Sequence, residues 1–244
     1  MPYILSPIIK ENFEGMWFEG SPYKKETIYD INSTDPNSPP VNYSAYTLKP
    51  HSLPHIEASA HTVKDGKTID SYFTGNAIKS FWGKAVVVKL KGNGFIDHST
   101  VTGTKLWEVT LSELKQGIFE ASGAEIIPDR IIVTVNDLPE TLTGLHRPDY
   151  VLILSQEAAD YLTSNDNFCL YGTSWKSSDF KPGSKERPIH NTIFRKAVIM
   201  ECLDLKNVPA GTYFMNAFPI PLQGASESPV CPVLFTKEEI LEQL

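Results

Sequence analysis

Two hydrophobic periods alternate through the middle of the chain. Gly83-Lys-Ala-Val-Val-Val-Lys-Leu-Lys91 is a β-branched run closed by Gly92-Asn-Gly94, the pattern of a buried strand. Thr110-Leu-Ser-Glu113 is a capping box that opens a helix through about residue 120. Residues 126–135 contain Arg130-Ile-Ile-Val-Thr-Val135, followed by Asn136, a second buried strand, and another apolar run follows at 149–154. Ser155 stands as N-cap before the helical pattern of 155–162. Residues 167–171 read as a strand leading into Gly172. Beyond a polar, Pro- and Gly-containing loop over 174–189, the pattern predicts a helix over 190–196 and a strand over 197–205. A turn at 207–211, a strand over 212–219 alternating around Phe214 and Phe218, and a short helix capped by Thr236 complete the chain. Residues 76–82 read as a short helix or turn.

The first fifty residues differ. They are rich in Pro, Tyr, Ser and Asn, and Asp35-Pro-Asn-Ser-Pro-Pro40 excludes a helix. A short strand is expected over 26–31. Met16, Trp17, Phe18 and Tyr23 follow no clear period, which leaves core, subunit interface and pocket lining open for them. Strands alternating with helices predict an α/β fold on a mixed sheet. No linker composition interrupts the chain, so a single domain over residues 1–244 is expected, with a loop-rich segment over about 1–45.

Composition narrows the classes of function. Hydrophobic residues at 41% and charged residues at 21% are those of a globular protein with a sizeable core. A net charge of −7 without a Lys/Arg block argues against nucleic acid and anionic membranes as partners. No apolar run approaches the roughly 20 residues that span a bilayer, and the first ten residues do not read as a signal peptide. Cys169, Cys202 and Cys231 are distant from one another and sit among apolar residues, the reading of buried thiols in a reduced, cytoplasmic protein.

The chemistry concentrates in His51-Ser-Leu-Pro-His55-Ile-Glu57-Ala-Ser-Ala-His61, which holds three of the six histidines. Imidazole and carboxylate together are the usual ligands of a catalytic zinc or manganese. A helix would set His55 and Glu57 on nearly opposite faces, and Pro54 would break it. A straight strand at about 3.3 Å per residue would part His51 from His55 by roughly 13 Å, too far to share one ion. A common metal therefore requires the segment to fold back around Pro54, with His55 and Glu57 leaving one short extended piece. A polar loop with scattered histidines is the alternative.

This stretch resembles the signature of the cyclase family of metal-dependent hydrolases, which includes bacterial kynurenine formamidase and isatin hydrolase. That signature is His-x-Gly-Thr-His-x-Asp-x-Pro-x-His. Here Leu53-Pro54 replaces Gly-Thr, Glu57 replaces Asp and Ser59 replaces Pro. Further along, Ser155-Gln-Glu-Ala-Ala-Asp-Tyr-Leu162 is similar to the family's Ser-x-x-Ala-Ala-x-x-Leu helix. Leu170-Tyr-Gly172-Thr-Ser174 is similar to its Gly-x-Asp turn, with Ser174 for Asp. Val208-Pro-Ala-Gly-Thr-Tyr213 and Gly224-Ala-Ser-Glu-Ser228-Pro229-Val230 match two C-terminal elements.

The resemblance implies the swivelling β/β/α domain with a mixed β-sheet core, assembled as a homodimer or homotetramer. It implies a divalent metal, zinc or manganese, held by His51, His55, Glu57, His190 and Glu201, with His61 and Glu201 as catalytic residues. His190 and Glu201 are eleven positions apart, roughly 16 Å on one helix, so they must converge from different elements. Glu201 stands in an apolar strand, where a metal would compensate a buried carboxylate; an edge strand with Glu201 in water is the other reading. The implied activity is hydrolysis of a C–N bond in a small amide, formamide or cyclic amide by a metal-activated water. A non-catalytic binder of a small molecule or protein and a metal-dependent cyclase or lyase are the alternatives. Glu57 adds one methylene, about 1.5 Å of reach, so its backbone must retreat or its carboxylate must bind differently. His98 and His146 match nothing in the family and are expected on the surface or in structural roles.

Overall fold

The apolar runs become strands because their alternate side chains fill two separate cores. The computed structural model describes residues 1–17, 19–98, 103–137, 139, 146–180 and 185–242; Phe18 and part of the loop expected over 174–189 lie outside the described residues. The strands are β1 (Tyr3–Ile4), β2 (Tyr23–Tyr29), β3 (Tyr43–Leu48), β4 (His55–Glu57), β5 (Trp82–Leu90), β6 (Ile96–Asp97) and β7 (Lys105–Val109). They continue as β8 (Arg130–Val135), β9 (Tyr150–Leu154), β10 (Leu170–Thr173), β11 (Val198–Glu201), β12 (Gly211–Asn216), β13 (Glu227–Pro229) and β14 (Val233–Phe235). The helices are α1 (Leu111–Ser122), α2 (Gln156–Thr163), α3 (Pro188–Ile193) and α4 (Lys237–Leu241).

Nine strands form one mixed sheet in the order β1-β14-β12-β5-β8-β10-β11-β4-β13. Its centre, β5-β8-β10-β11, is parallel, and the outer strands pair antiparallel. Val86, Val88, Ile131, Val133, Tyr171 and Ile199 point into the core beneath α1, α2 and α3. Their neighbours Ala85, Val87, Ile132, Leu170, Val198 and Met200 point into the core on the opposite face. This two-sided burial explains why the central strands read as continuous apolar runs. β6, β7 and β9 make a smaller sheet. The α/β class and the mixed core match the expectation.

Several boundaries differ from the sequence reading, each for a local reason. The strand expected over 26–31 runs from Tyr23 to Tyr29 and pairs with β3, a partner that the pattern did not reveal. Both strands are almost wholly exposed, so no burial period marks them. The helix expected over 190–196 begins at Pro188, whose fixed φ suits a first turn, and ends at Ile193. The strand expected over 197–205 stops at Glu201, because Cys202 has a φ of 59° in the left-handed region. β12 ends at Asn216, although the Ala217 N–H still donates to the Phe81 carbonyl at 2.7 Å in the same register. The capping boxes at Thr110 and Thr236 and the Ser155 cap form as expected. Cys169 and Cys202 are buried, whereas Cys231 is exposed, contrary to expectation. Among the described residues no helix is long and apolar enough to cross a membrane.

Candidate metal centre

The histidine-rich stretch folds as turn, strand and turn. A 3-10 turn, Pro50–Ser52, carries His51, with Pro50 in its first turn. Leu53 and Pro54 then lead into β4. Leu53 is fully buried against Phe13, Met16 and Cys202, which anchors the entry to the strand. A second 3-10 turn, Ser59–His61, returns His61 to the same side. The fold-back required by a shared site is thus made by the turn at Pro50–Ser52, just before Pro54.

β4 lies between β11 and β13, with His55 opposite Glu201 and Pro229, and Glu57 opposite Ile199 and Glu227. Directly opposed residues share a face, so His55, Glu57 and Glu201 project together while Ile56 enters the core behind them. Glu201 is therefore interior to the sheet and buried, which excludes the solvated edge reading. His190 arrives from α3 above this face.

Four imidazoles converge on Glu57. Its Oε1 lies 3.2 Å from His51 Nδ1, 3.3 Å from His55 Nε2 and 3.4 Å from His61 Nε2. Its Oε2 lies 3.1 Å from His190 Nε2. The added methylene lets the carboxylate span two sides of the cluster. Glu201 faces the same centre, with Oε1 3.6 Å from His190 Nε2 and Oε2 3.9 Å from His55 Nε2. All six site residues expected from the sequence are thus brought together. His55, Glu57, His190 and Glu201 are buried, while the His51 and His61 side chains are 33% and 25% exposed and open on the pocket.

Sequence reasoning missed the supporting groups. Asp179 pairs with His190 Nδ1 at 2.6 Å. It also accepts the N–H groups of Ile189 at 2.8 Å and His190 at 2.9 Å. Ser178 Oγ donates to Glu201 Oε1 at 2.7 Å. Glu227 faces His51 and His61. A buried histidine needs a partner for its second nitrogen, so an acidic residue shortly before His190 was the available signal for Asp179. Ser174 is not at the centre: its hydroxyl pairs with Thr134 Oγ1 at 2.8 Å. His98 is exposed, and His146 is buried beside Trp175 rather than on the surface. Burial and the charge of Lys176 push His146 down to about 3.

The electrostatics divide the two buried carboxylates. Burial raises Glu57, but the imidazoles of His190, His51 and His55 outweigh it and hold the group well below the usual carboxylate range. Burial and the neighbouring charge of Glu57 both raise Glu201, and the two imidazoles only partly oppose them. Burial lowers His190, yet Asp179 and Glu57 carry it up to about 10. His55 is likewise drawn down by burial and raised well above its ordinary value, by contacts with Cys202 and Glu57. Buried charge of this density needs a compensating partner. Among the described residues three sets of donors are close enough to hold one ion: His51, His55 and Glu57; Glu57, His61 and His190; and His51, His61 and Glu227. Imidazole nitrogen with carboxylate oxygen suits a divalent metal ion.

A pocket of about 280 Å³ opens over the centre, lined also by Trp17, Glu19, Lys176 and Arg187. Trp17 Nε1 donates to the His51 carbonyl at 3.1 Å, and Lys176 Nζ lies 4.1 Å from the indole centroid. Trp17 thus lines this chain's own pocket, one of the readings left open for it.

Comparison with known proteins follows the same lines. A family model described as "Putative cyclase" matches residues 5–179. The chain is 29% identical over 197 residues to a kynurenine formamidase of Delftia acidovorans, covering 80% of each chain. It is 25% identical over 195 residues to a kynurenine formamidase of Salinibacter ruber, again covering 80% of each. Isatin hydrolase A from Ralstonia solanacearum superposes with a TM-score of 0.67 at 20% identity, over 97% of this chain and 92% of that one.

Proposed function

Because the chain belongs to the cyclase family, we propose that it is a metal-dependent, arylformamidase-like hydrolase. It cleaves a C–N bond other than a peptide bond, in a small amide, formamide or cyclic amide. The observation that carries this reading is the convergence of four imidazoles on Glu57 and Glu201 beneath a pocket sized for a small molecule. His51, His55, Glu57, His190 and Glu201 hold the metal, zinc or manganese, within one domain over residues 1–244. The working protein is a cytoplasmic homodimer or homotetramer. The exposed β2–β3 hairpin, which displays Tyr29, Tyr43 and Tyr46, supports assembly with another copy.

A divalent ion bound there supplies Lewis acidity, which acidifies water and polarises a carbonyl oxygen. His61 moves the proton. Its Nδ1 faces Glu227, and its Nε2 faces the centre. Nε2 takes a proton from the attacking water, and the same atom returns it to the nitrogen of the breaking C–N bond. Ser178 orients the Glu201 carboxylate, and Asp179 holds the His190 ring with Nε2 inward. Trp17 presents a flat apolar wall to an aryl group.

The test uses purified protein stripped with a chelator and reloaded with zinc or manganese, offered aryl formamides and cyclic aryl amides. Metal-dependent release of formate or of the ring-opened acid is expected. A metal-loaded protein inert towards the whole panel would count against hydrolysis. Failure to bind either metal would point to the non-catalytic alternative.

A further inference from the structure

The pocket above the metal centre carries two cations without an acidic partner. Lys176 and Arg187 both line it. Among the described residues, the lysines and arginines that pair with a carboxylate side chain are Lys91, Arg147, Arg195 and Lys196. Glu19 lines the same pocket, but it accepts the Ser52 hydroxyl and pairs with neither cation.

The two cations come from separate segments. Lys176 follows β10, and Arg187 stands immediately before α3. Lys176 Nζ donates to the Met16 carbonyl at 2.7 Å and lies 4.1 Å from the centroid of the Trp17 indole. An ammonium has three protons, so this leaves two for a further acceptor. Arg187 Nη1 donates to the Glu186 carbonyl at 3.2 Å, which leaves most of the five N–H groups of the guanidinium. Lys176 is only partly exposed, and burial pulls its ammonium below the usual lysine range. A cation so placed gains from a neighbouring anion. Pinning residues 16 and 17 gives Lys176 a structural role, but it gives Arg187 none.

The charge of the pocket points the same way. Glu57 and Glu201 face a divalent ion when one is bound, and its charge offsets theirs. Glu19 then stands against Lys176 and Arg187, which leaves one positive charge in excess on a chain whose net charge is −7. A cleft of that sign concentrates anions.

We propose that Lys176 and Arg187 are specificity-determining residues that select a substrate bearing an anionic substituent, a carboxylate on its aryl group away from the C–N bond. Hydrolysis of that substrate rests on the function proposed above, whereas the preference for an aryl anion rests on the two cations.

Benzenesulfonate and methyl phenyl sulfone test the preference, because they share a shape, bind metals weakly and differ by one charge. Calorimetric titration of the protein supplied with zinc is expected to show the sulfonate bound at least about tenfold more tightly than the sulfone. Lys176→Met and Arg187→Gln should each narrow that ratio, and Lys176→Arg should keep most of it. In turnover, 4-formamidobenzoate should exceed formanilide in kcat/KM, and the same two substitutions should narrow that difference. Equal affinity for the two probes in the wild type would overturn the proposal. So would a sulfonate preference that survives both substitutions, since the metal would then be holding the anion. A loss that falls on both probes alike would reduce Lys176 to a pin for Trp17 and also overturn it. If Lys176→Met does not fold, Arg187→Gln decides by the same ratio. A sulfonate preference without hydrolysis of either formamide would defeat the hydrolase reading and leave the anion site standing.

Discussion

The carboxylate of Asp179 grips His190 at two points, accepting its backbone N–H at 2.9 Å and meeting its Nδ1 at 2.6 Å through the same oxygen. The other oxygen accepts the N–H of Ile189 at 2.8 Å. Asp179→Ala would leave these buried donors without an acceptor. A loss of about 2–5 kcal/mol in urea unfolding is expected. Zinc affinity should fall by roughly 10–100-fold, because the ring loses its orientation. Unchanged affinity in the folded variant would show that α3 alone positions the ring.

Stability should depend on pH with a definite sign when no metal is present. His190 rises from 6.5 to about 10 on folding. A raised basic group stabilises fully below its unfolded value and loses that contribution as pH rises through its folded value. The chelator-treated protein should therefore lose stability progressively between about pH 6.5 and 10. Glu227, held at about 2 by the His61 contact against the effect of burial, acts at the other end: its contribution is present above 4.5 and lost as pH falls towards 2. Zinc must displace the His190 proton, so its affinity should climb across the alkaline window where the metal-free protein weakens. Thermal midpoints from pH 5 to 9, with chelator and with zinc, read both trends. A metal-free midpoint that is level from pH 7 to 9 would contradict the assignment.

Glu57 spans the cluster because it is a glutamate. Oε1 serves three imidazoles and Oε2 a fourth. An aspartate on the same backbone falls short by about 1.5 Å. Glu57→Asp should weaken zinc or manganese binding by on the order of tenfold, about 1.4 kcal/mol, and Glu57→Gln should do so too by removing a charge. Calorimetric titration of the three proteins decides this. Equal affinities would remove Glu57 from the ligand set.

Gly66 sets the position of His61 from behind. A Cβ at residue 66 would come within 2.5 Å of the Ser59 carbonyl carbon and 2.6 Å of the Ala60 nitrogen. Those atoms belong to the turn that carries His61. Gly66→Ala should cost about 1–3 kcal/mol through this overlap. It should also lower turnover more than metal affinity, because His61 moves while the strand ligands stay. A variant with normal turnover would show that the turn yields without disturbing the ring.

The sequence carried more of the inner site than of its supports. His51, His55, Glu57 and His61 sit so that sharing one metal demands a fold-back, which their spacing made legible. The partnership of Glu201 with His55 depends on two strands far apart in sequence becoming neighbours, which no local pattern encodes; only the family resemblance brought them together. Asp179 and Glu227 were legible as acidic residues and no more, since their role exists only once α3 and β13 have docked. Central strands announced themselves because both faces are buried. β3 did not, nor did its pairing with β2, because neither face of that hairpin is buried.

The placement of β4 also bears on how the chain reaches its native state. β4 comes from the first quarter of the sequence, yet both its neighbours, β11 and β13, come from the last. Closing a loop of that length must precede any contact that rewards it, so this edge of the sheet assembles late. His55, Glu57 and Glu201 do not exist as a cluster until then. A metal ion would therefore be a spectator to the early collapse. It would act afterwards as a brake on unfolding, leaving the refolding rate nearly unchanged and slowing only the release of β4 from its neighbours.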